Sequence, residues 1–162
     1  MDEPANGQPN SLRRMSSCQD RDLIAARRRV TLGAMSEWAR TLLVGAGGFV
    51  GATLRYTLGG LVYRVASPEF PWATLLVNVS GCFVIGLLAV LSEERGPIGP
   101  AGRLFLMVGV LGGYTTFSTF GYETLSLLRE GSHALAAANA VGQLLLGLAA
   151  VWAGIMVARG IV

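Results

Sequence analysis

The sequence predicts an all-α integral membrane protein of four transmembrane helices, the third of them broken near Gly112–Thr116. Three observations carry that expectation. Composition is the first: 52% of the 162 residues are hydrophobic and 14% charged, with a mean hydropathy of +0.51, which lies outside the soluble range. Run length is the second, since Trp72 to Leu91 gives 20 residues without a charge and Ala134 to Ala158 gives 25. At about 1.5 Å per residue each crosses a bilayer core as a helix. The third is a polar insert, "GGYTTFSTFGYE" from Gly112 to Glu123, in the middle of the apolar stretch Leu104 to Leu128.

Two regions follow in chain order, an Arg-rich tail over residues 1–37 and a four-helix membrane domain over 38–162. All 13 basic residues are arginine, and Arg13-Arg14 and Arg27-Arg28-Arg29 fall in the tail. Its Ser, Asn and Pro content with no apolar core predicts disorder, and Val30 to Met35 is too short and mixed for a signal peptide. A solvated tail and a basic patch for anionic lipid both fit that composition. Met35 opens "MSEWARTLLVGAGG", a compact start for the first span, so residues 1–34 also read as an upstream extension.

The first span needs Arg55 to be accepted inside it: Thr41 to Leu54 is 14 residues, and continuing to Tyr63 makes it long enough. Arg55 has two readings, a side chain snorkelling to the headgroups or a fixed charge at the mouth of a water-filled path that attracts anions. The second span carries Asn78, one turn after Thr74. An Asn at this depth cross-links helices, and its NH₂ is also a neutral donor pair able to receive an anion.

In the third span, Gly112-Gly113 followed by Tyr114-Thr115-Thr116 is poor helix material, and a break would free carbonyls from their partners four residues on. Such backbone survives at membrane depth only when buried in protein or lining a cavity. Freed carbonyls meeting those of a second subunit suit a small cation such as Na⁺, while the restarted helix points N–H groups at the break. Phe117 and Phe120, three apart, are packing residues or positive ring edges facing an anion, with Ser118 and Thr119 as neighbouring hydroxyls. Glu123 requires a partner, a proton or water. Asn139 and Gln143 in the fourth span, four apart, either line the same path or bond between helices.

Short connections leave no room for a soluble domain and place both termini on one side. Arg40, Arg95, Arg103 and Arg159 on that side against Arg64 and Arg129 on the other is a weak charge bias. The steps Gly47-xxx-Gly51 and Gly109-xxx-Gly113 allow close helix approach, within a subunit or across a dimer. Cys18 and Cys82 are not expected to pair, one lying in the tail and the other in a span. Neither they nor His133 has metal-site spacing, and no nucleophile and base set for an enzyme is visible.

The motifs "GGFVGATLRY", "FPWATLLVNVSGCFVIG" and "GVLGGYTTFSTFGYET", in that order, give a chain that resembles the CrcB/Fluc fluoride ion channels from about Arg40 to Ala158. The resemblance implies a multi-pass protein of the bacterial inner membrane that exports fluoride passively from the cytoplasm and reduces its toxicity. It implies an antiparallel homodimer in lipid, or a pair with a homologue, with no nucleic-acid partner and no organic cofactor. On the matching positions, the carbonyls of Gly112 and Thr115 would hold a structural Na⁺ at the dimer centre. Asn78, Phe117, Phe120, Ser118 and Thr119 would line the fluoride pathway, and Arg55 would be the vestibule charge. Ala73 stands where the family pattern has Gly, and no family role is carried onto Asn139 or Gln143. A small multidrug transporter is the nearest alternative, but it needs a carboxylate in the first span where this chain has Arg55.

Overall fold

The computed structural model describes residues 35–93 and 97–161, so the expectations for the Arg-rich tail up to residue 34 and for Arg95 lie outside the described residues. Among the described residues every regular element is helical: α1 (Glu37–Val65), α2 (Trp72–Leu91), α3 (Pro100–Arg103), a π-helical segment (Leu104–Leu111), α4 (Gly112–Tyr114), α5 (Phe117–Arg129) and α6 (His133–Ile161).

Local chemistry sets the ends. Ser36 caps α1, its hydroxyl accepting the Ala39 N–H at 3.2 Å. Glu37 in the first turn and Arg64 in the last complement the helix dipole. Between α5 and α6, Gly131 takes φ +77°, a left-handed conformation costly for other residues, and lets the chain reverse over three residues. Several threonine hydroxyls return to their own helix, as when Thr53 donates to the Phe49 carbonyl at 2.8 Å and Thr57 to the Thr53 carbonyl at 2.9 Å, which removes a free donor from hydrocarbon.

Among the described residues, three segments combine the length and apolarity to cross a membrane: Trp72–Leu91, Pro100–Arg129 and His133–Ile161. The sequence expectation was four. With 29 residues, or about 43 Å at 1.5 Å per residue, α1 has the length, but Arg40, Arg55, Arg64 and its threonines lower its apolar character. The outward faces are apolar, with Phe49 75% and Trp152 65% exposed, as a lipid-facing surface requires. The molecule is a multi-pass membrane protein.

Glycines decide how the helices pair. A Cβ at Gly47 would sit 2.5 Å from the Phe105 carbonyl oxygen, and one at Gly113 would sit 2.5 Å from that of Gly48. A Cβ at Gly51 would overlap the Val110 carbonyl. The two small-residue steps of the sequence therefore meet each other within one chain, bringing α1 against the π-helical segment and α4. A second close pair joins α2 to α6, where Gly86 lies against the Val151 carbonyl and Gly154 against that of Phe83. With no hydrophobic force between helices in lipid, such backbone proximity supplies the packing. Between the pairs sits a small core of Val77, Leu88, Leu111 and Tyr114. Ala73, in place of Gly, is buried and is tolerated because it faces Gly59, whose added Cβ would lie 4.0 Å away.

The break in the third segment lies at Thr115 (φ −81°, ψ 155°) and Thr116 (φ −148°, ψ 108°). Gly112 and Gly113, expected to break the helix, are helical. For Gly113 the missing Cβ serves contact with α1 instead of backbone freedom. The turns before the break are widened into a π-helix over Leu104–Leu111, for which the uniformly apolar LFLMVGVL offers no sequence signal.

Candidate functional site

Thr116 is the centre of the site. Its N–H, which in a continued helix would close onto the Gly112 carbonyl, goes to Asn78 Oδ1 at 2.8 Å. Asn78 Nδ2 returns to the Thr116 carbonyl at 3.1 Å and donates as well to Gln143 Oε1 at 3.1 Å. One amide thus joins α2, the break and α6. Of the two readings of Asn78, cross-linking is realised within the chain, with both its N–H donors engaged.

The Thr116 hydroxyl caps the restarted helix, accepting the Thr119 N–H at 3.3 Å and lying 2.9 Å from the Thr119 hydroxyl and 3.3 Å from that of Ser118. Two backbone N–H groups, of Thr116 and Thr119, are therefore drawn to side-chain oxygens. The carbonyls they would have served in an unbroken helix are those of Gly112 and Thr115. Carbonyl oxygens released in this way, with no carboxylate, fit a hard monovalent cation such as Na⁺ in donor type.

Below the break, Phe117 and Phe120 lie ring to ring with centroids 5.4 Å apart and planes tilted by 58°. Phe117 is 82% exposed. Glu123, one turn beyond Phe120, accepts a hydrogen bond from the Thr74 hydroxyl at 2.7 Å. Thr74 and Asn78 are one turn apart on α2, so a single face of that helix holds α5 at both its cap and its Glu123. That spacing, with a carboxylate in need of a partner, is the signal that could have identified Thr74. Thr116 was visible only as one hydroxyl among several.

Two grooves flank the clamp. One, of about 570 Å³, brings Arg55 together with Tyr63, Thr74, Thr116 and Thr119. The other, of about 480 Å³, brings together Asn78, Gly112, Thr115, Phe117, Phe120 and Gln143. Thr116 lines both. The structure thus gathers the residues singled out in the sequence around one break, with Arg55 and Thr119 on one side and the phenylalanines on the other. Ser118 is exposed beside the Thr116 hydroxyl, and Glu123 lies deeper along α5. Asn139 is fully buried, donating from Nδ2 to Thr124 Oγ1 at 2.9 Å.

Comparison with known proteins identifies similar chains. Residues 42–155 match the family described as CrcB-like protein, Camphor Resistance (CrcB). A protein of Opitutus terrae named fluoride-specific ion channel FluC is 48% identical over 122 residues, covering 74% of this chain and 92% of the relative. Relatives of the same name from Solibacter usitatus (48% over 118 residues, 73% and 97% covered) and Thermus thermophilus (53% over 109 residues, 67% and 86% covered) match similarly.

Proposed function

Because the chain belongs to the CrcB-like family, we propose that it is a fluoride-specific ion channel, exporting fluoride passively across the bacterial inner membrane. The names of its relatives describe channels and not enzymes. The observation that carries the reading is the break at Thr115–Thr116, where neutral donors and two phenylalanine rings gather at membrane depth. Fluoride is small and tightly hydrated. A selective path has to replace its water with many donors in a narrow space, and neutral donors do so without retaining the ion.

In this reading Arg55 draws anions into its groove, and Ser118 and Thr119 offer hydroxyl donors near the break. Phe117 and Phe120 present positive ring edges. Fluoride reaching Asn78 would compete with Gln143 Oε1 as acceptor for the Nδ2 protons. Glu123, anchored by Thr74, lies along the continuation of the same face. Export needs no energy source beyond the membrane potential, which favours anion exit by about 2.3 kcal/mol per 100 mV.

The functional unit in this reading is an antiparallel dimer of four-span subunits in lipid, of two identical chains or of this chain and a homologue. The 82% exposure of Phe117, a large ring at the edge of a groove, supports a second subunit there. The carbonyls of Gly112 and Thr115 would hold a structural Na⁺, which when bound supplies positive charge to oxygens that have lost their helical N–H partners.

The test is fluoride efflux from liposomes containing the purified chain, followed with a fluoride electrode and repeated with chloride. Rapid fluoride release with little chloride release is expected. Equal release of both anions would sink the selectivity, and no release from folded protein, alone or co-expressed with a homologue, would sink the channel.

A further inference from the structure

Helix α6 carries two buried polar atoms with no hydrogen-bond partner among the described residues, Asn139 Oδ1 and Gln143 Nε2. They lie four residues apart, on one face of one helix, where side chains are about 5–6 Å from each other at Cβ. Their identities as acceptor and donor are fixed by what surrounds them. Thr124 has one hydroxyl proton, and it goes to the Phe120 carbonyl at 2.8 Å, so toward Asn139 that oxygen can only accept. Asn139 must therefore present Nδ2 to it and turn Oδ1 away.

The same logic runs from the other end. The Thr116 N–H can only donate, so it requires Asn78 Oδ1, and Asn78 must offer Nδ2 to Gln143. Gln143 answers with Oε1, and Nε2 is left over. Two backbone anchors thus propagate along the amides to leave a buried donor and a buried acceptor one turn apart on α6. Flipping the Gln143 amide would set its NH₂ against that of Asn78, and flipping Asn139 would turn its carbonyl oxygen toward a hydroxyl whose proton is already given to Phe120.

From this geometry we infer that Gln143 Nε2 and Asn139 Oδ1 hold one structural water. An anion could serve only the donor, and a cation only the acceptor. A water molecule accepts from Nε2 with an oxygen lone pair and donates a proton to Oδ1, which completes both at once. Buried waters occupy such sites, between polar groups otherwise unsatisfied. Asn139, fully buried, closes the site from within, and Gln143 opens on the groove that would admit the molecule. With the water in place, one uninterrupted chain of bonds runs from Thr116 through Asn78, Gln143, the water and Asn139 to Thr124. Both ends of the first two turns of α5 are then tied to α6, which holds the break in shape. The inference goes beyond the channel reading and does not depend on which ion the protein carries.

Crystal structures of the purified full chain, at a resolution that shows ordered water, in fluoride-free and fluoride-containing buffer, test it. One density peak within hydrogen-bonding distance of both atoms is expected in both buffers, and it should vanish in Gln143→Met, or in Asn139→Leu if that variant alone yields folded protein. A peak that appears only with fluoride marks an anion site and overturns the proposal. So does a direct Gln143 to Asn139 hydrogen bond with no peak, or a peak that persists in the variant.

Discussion

Asn78 and Thr116 bond to each other in both directions, the Thr116 N–H donating to Asn78 Oδ1 at 2.8 Å and Asn78 Nδ2 donating to the Thr116 carbonyl at 3.1 Å. A side-chain amide here stands in for the neighbouring peptide that a strand or helix would supply. Thr116 can leave the helix at membrane depth because its polar backbone groups are both satisfied.

Asn78→Leu should consequently destabilise the protein, because a buried N–H left unpaired costs about 1–3 kcal/mol. A fall in melting temperature of roughly 2–4 °C per kcal/mol is expected, together with loss of fluoride flux. An unchanged melting temperature in detergent would show that the break is held by something other than this amide.

Gly51→Ala and Gly113→Ala should each cost about 1–3 kcal/mol through overpacking, because the new methyl meets backbone of the facing helix. Gly45→Ala and Gly142→Ala, where a Cβ meets nothing within 4 Å, should be neutral or mildly stabilising by helix propensity. Thermal melting of the four variants side by side checks the contrast, and four equal shifts would count against the glycine contacts.

Phe117→Ile and Phe120→Ile should cripple fluoride flux while leaving assembly intact, since each keeps an apolar side chain but removes the ring edge. Liposome efflux paired with size-exclusion chromatography reads both quantities. Unchanged flux in both variants would remove the rings from the pathway.

Arg55→Ala should slow fluoride access more than it disturbs assembly, because the charge acts from a groove wall and attraction of anions depends on it. The loss should shrink as ionic strength rises and screening shortens the reach of the charge. A salt-independent deficit would assign Arg55 to packing.

Exchanging Na⁺ for a large organic cation during purification should lower the melting temperature of the assembled protein if the Gly112 and Thr115 carbonyls hold sodium. Restoring Na⁺ should reverse the shift. Identical melting in both buffers would leave those carbonyls without a metal role.

Three of the four expected spans were legible in the sequence because hydrocarbon imposes a composition on each segment separately. Trp72–Leu91 appears in the structure with the limits its uncharged run predicted. The polar insert likewise announced a break, since glycines and hydroxyls inside an apolar stretch have no use on a lipid-facing helix. Membership of the family was legible for a related reason, the residues that carry the resemblance being concentrated in three short motifs.

Tertiary structure alone decided what the polar residues do. Whether the glycine steps faced each other or a second chain depended on which helices became neighbours, and the answer is that Gly47 meets Gly109, Gly48 meets Gly113 and Gly51 meets the Val110 carbonyl, all within one chain. The glycines of the insert stayed helical and the threonines left the helix, because Asn78, 38 residues away, was in place to take the Thr116 N–H. Composition records how much polar chemistry a span carries. Hydrogen bonds are short and directional, so which atoms they join is fixed only when distant segments are packed together.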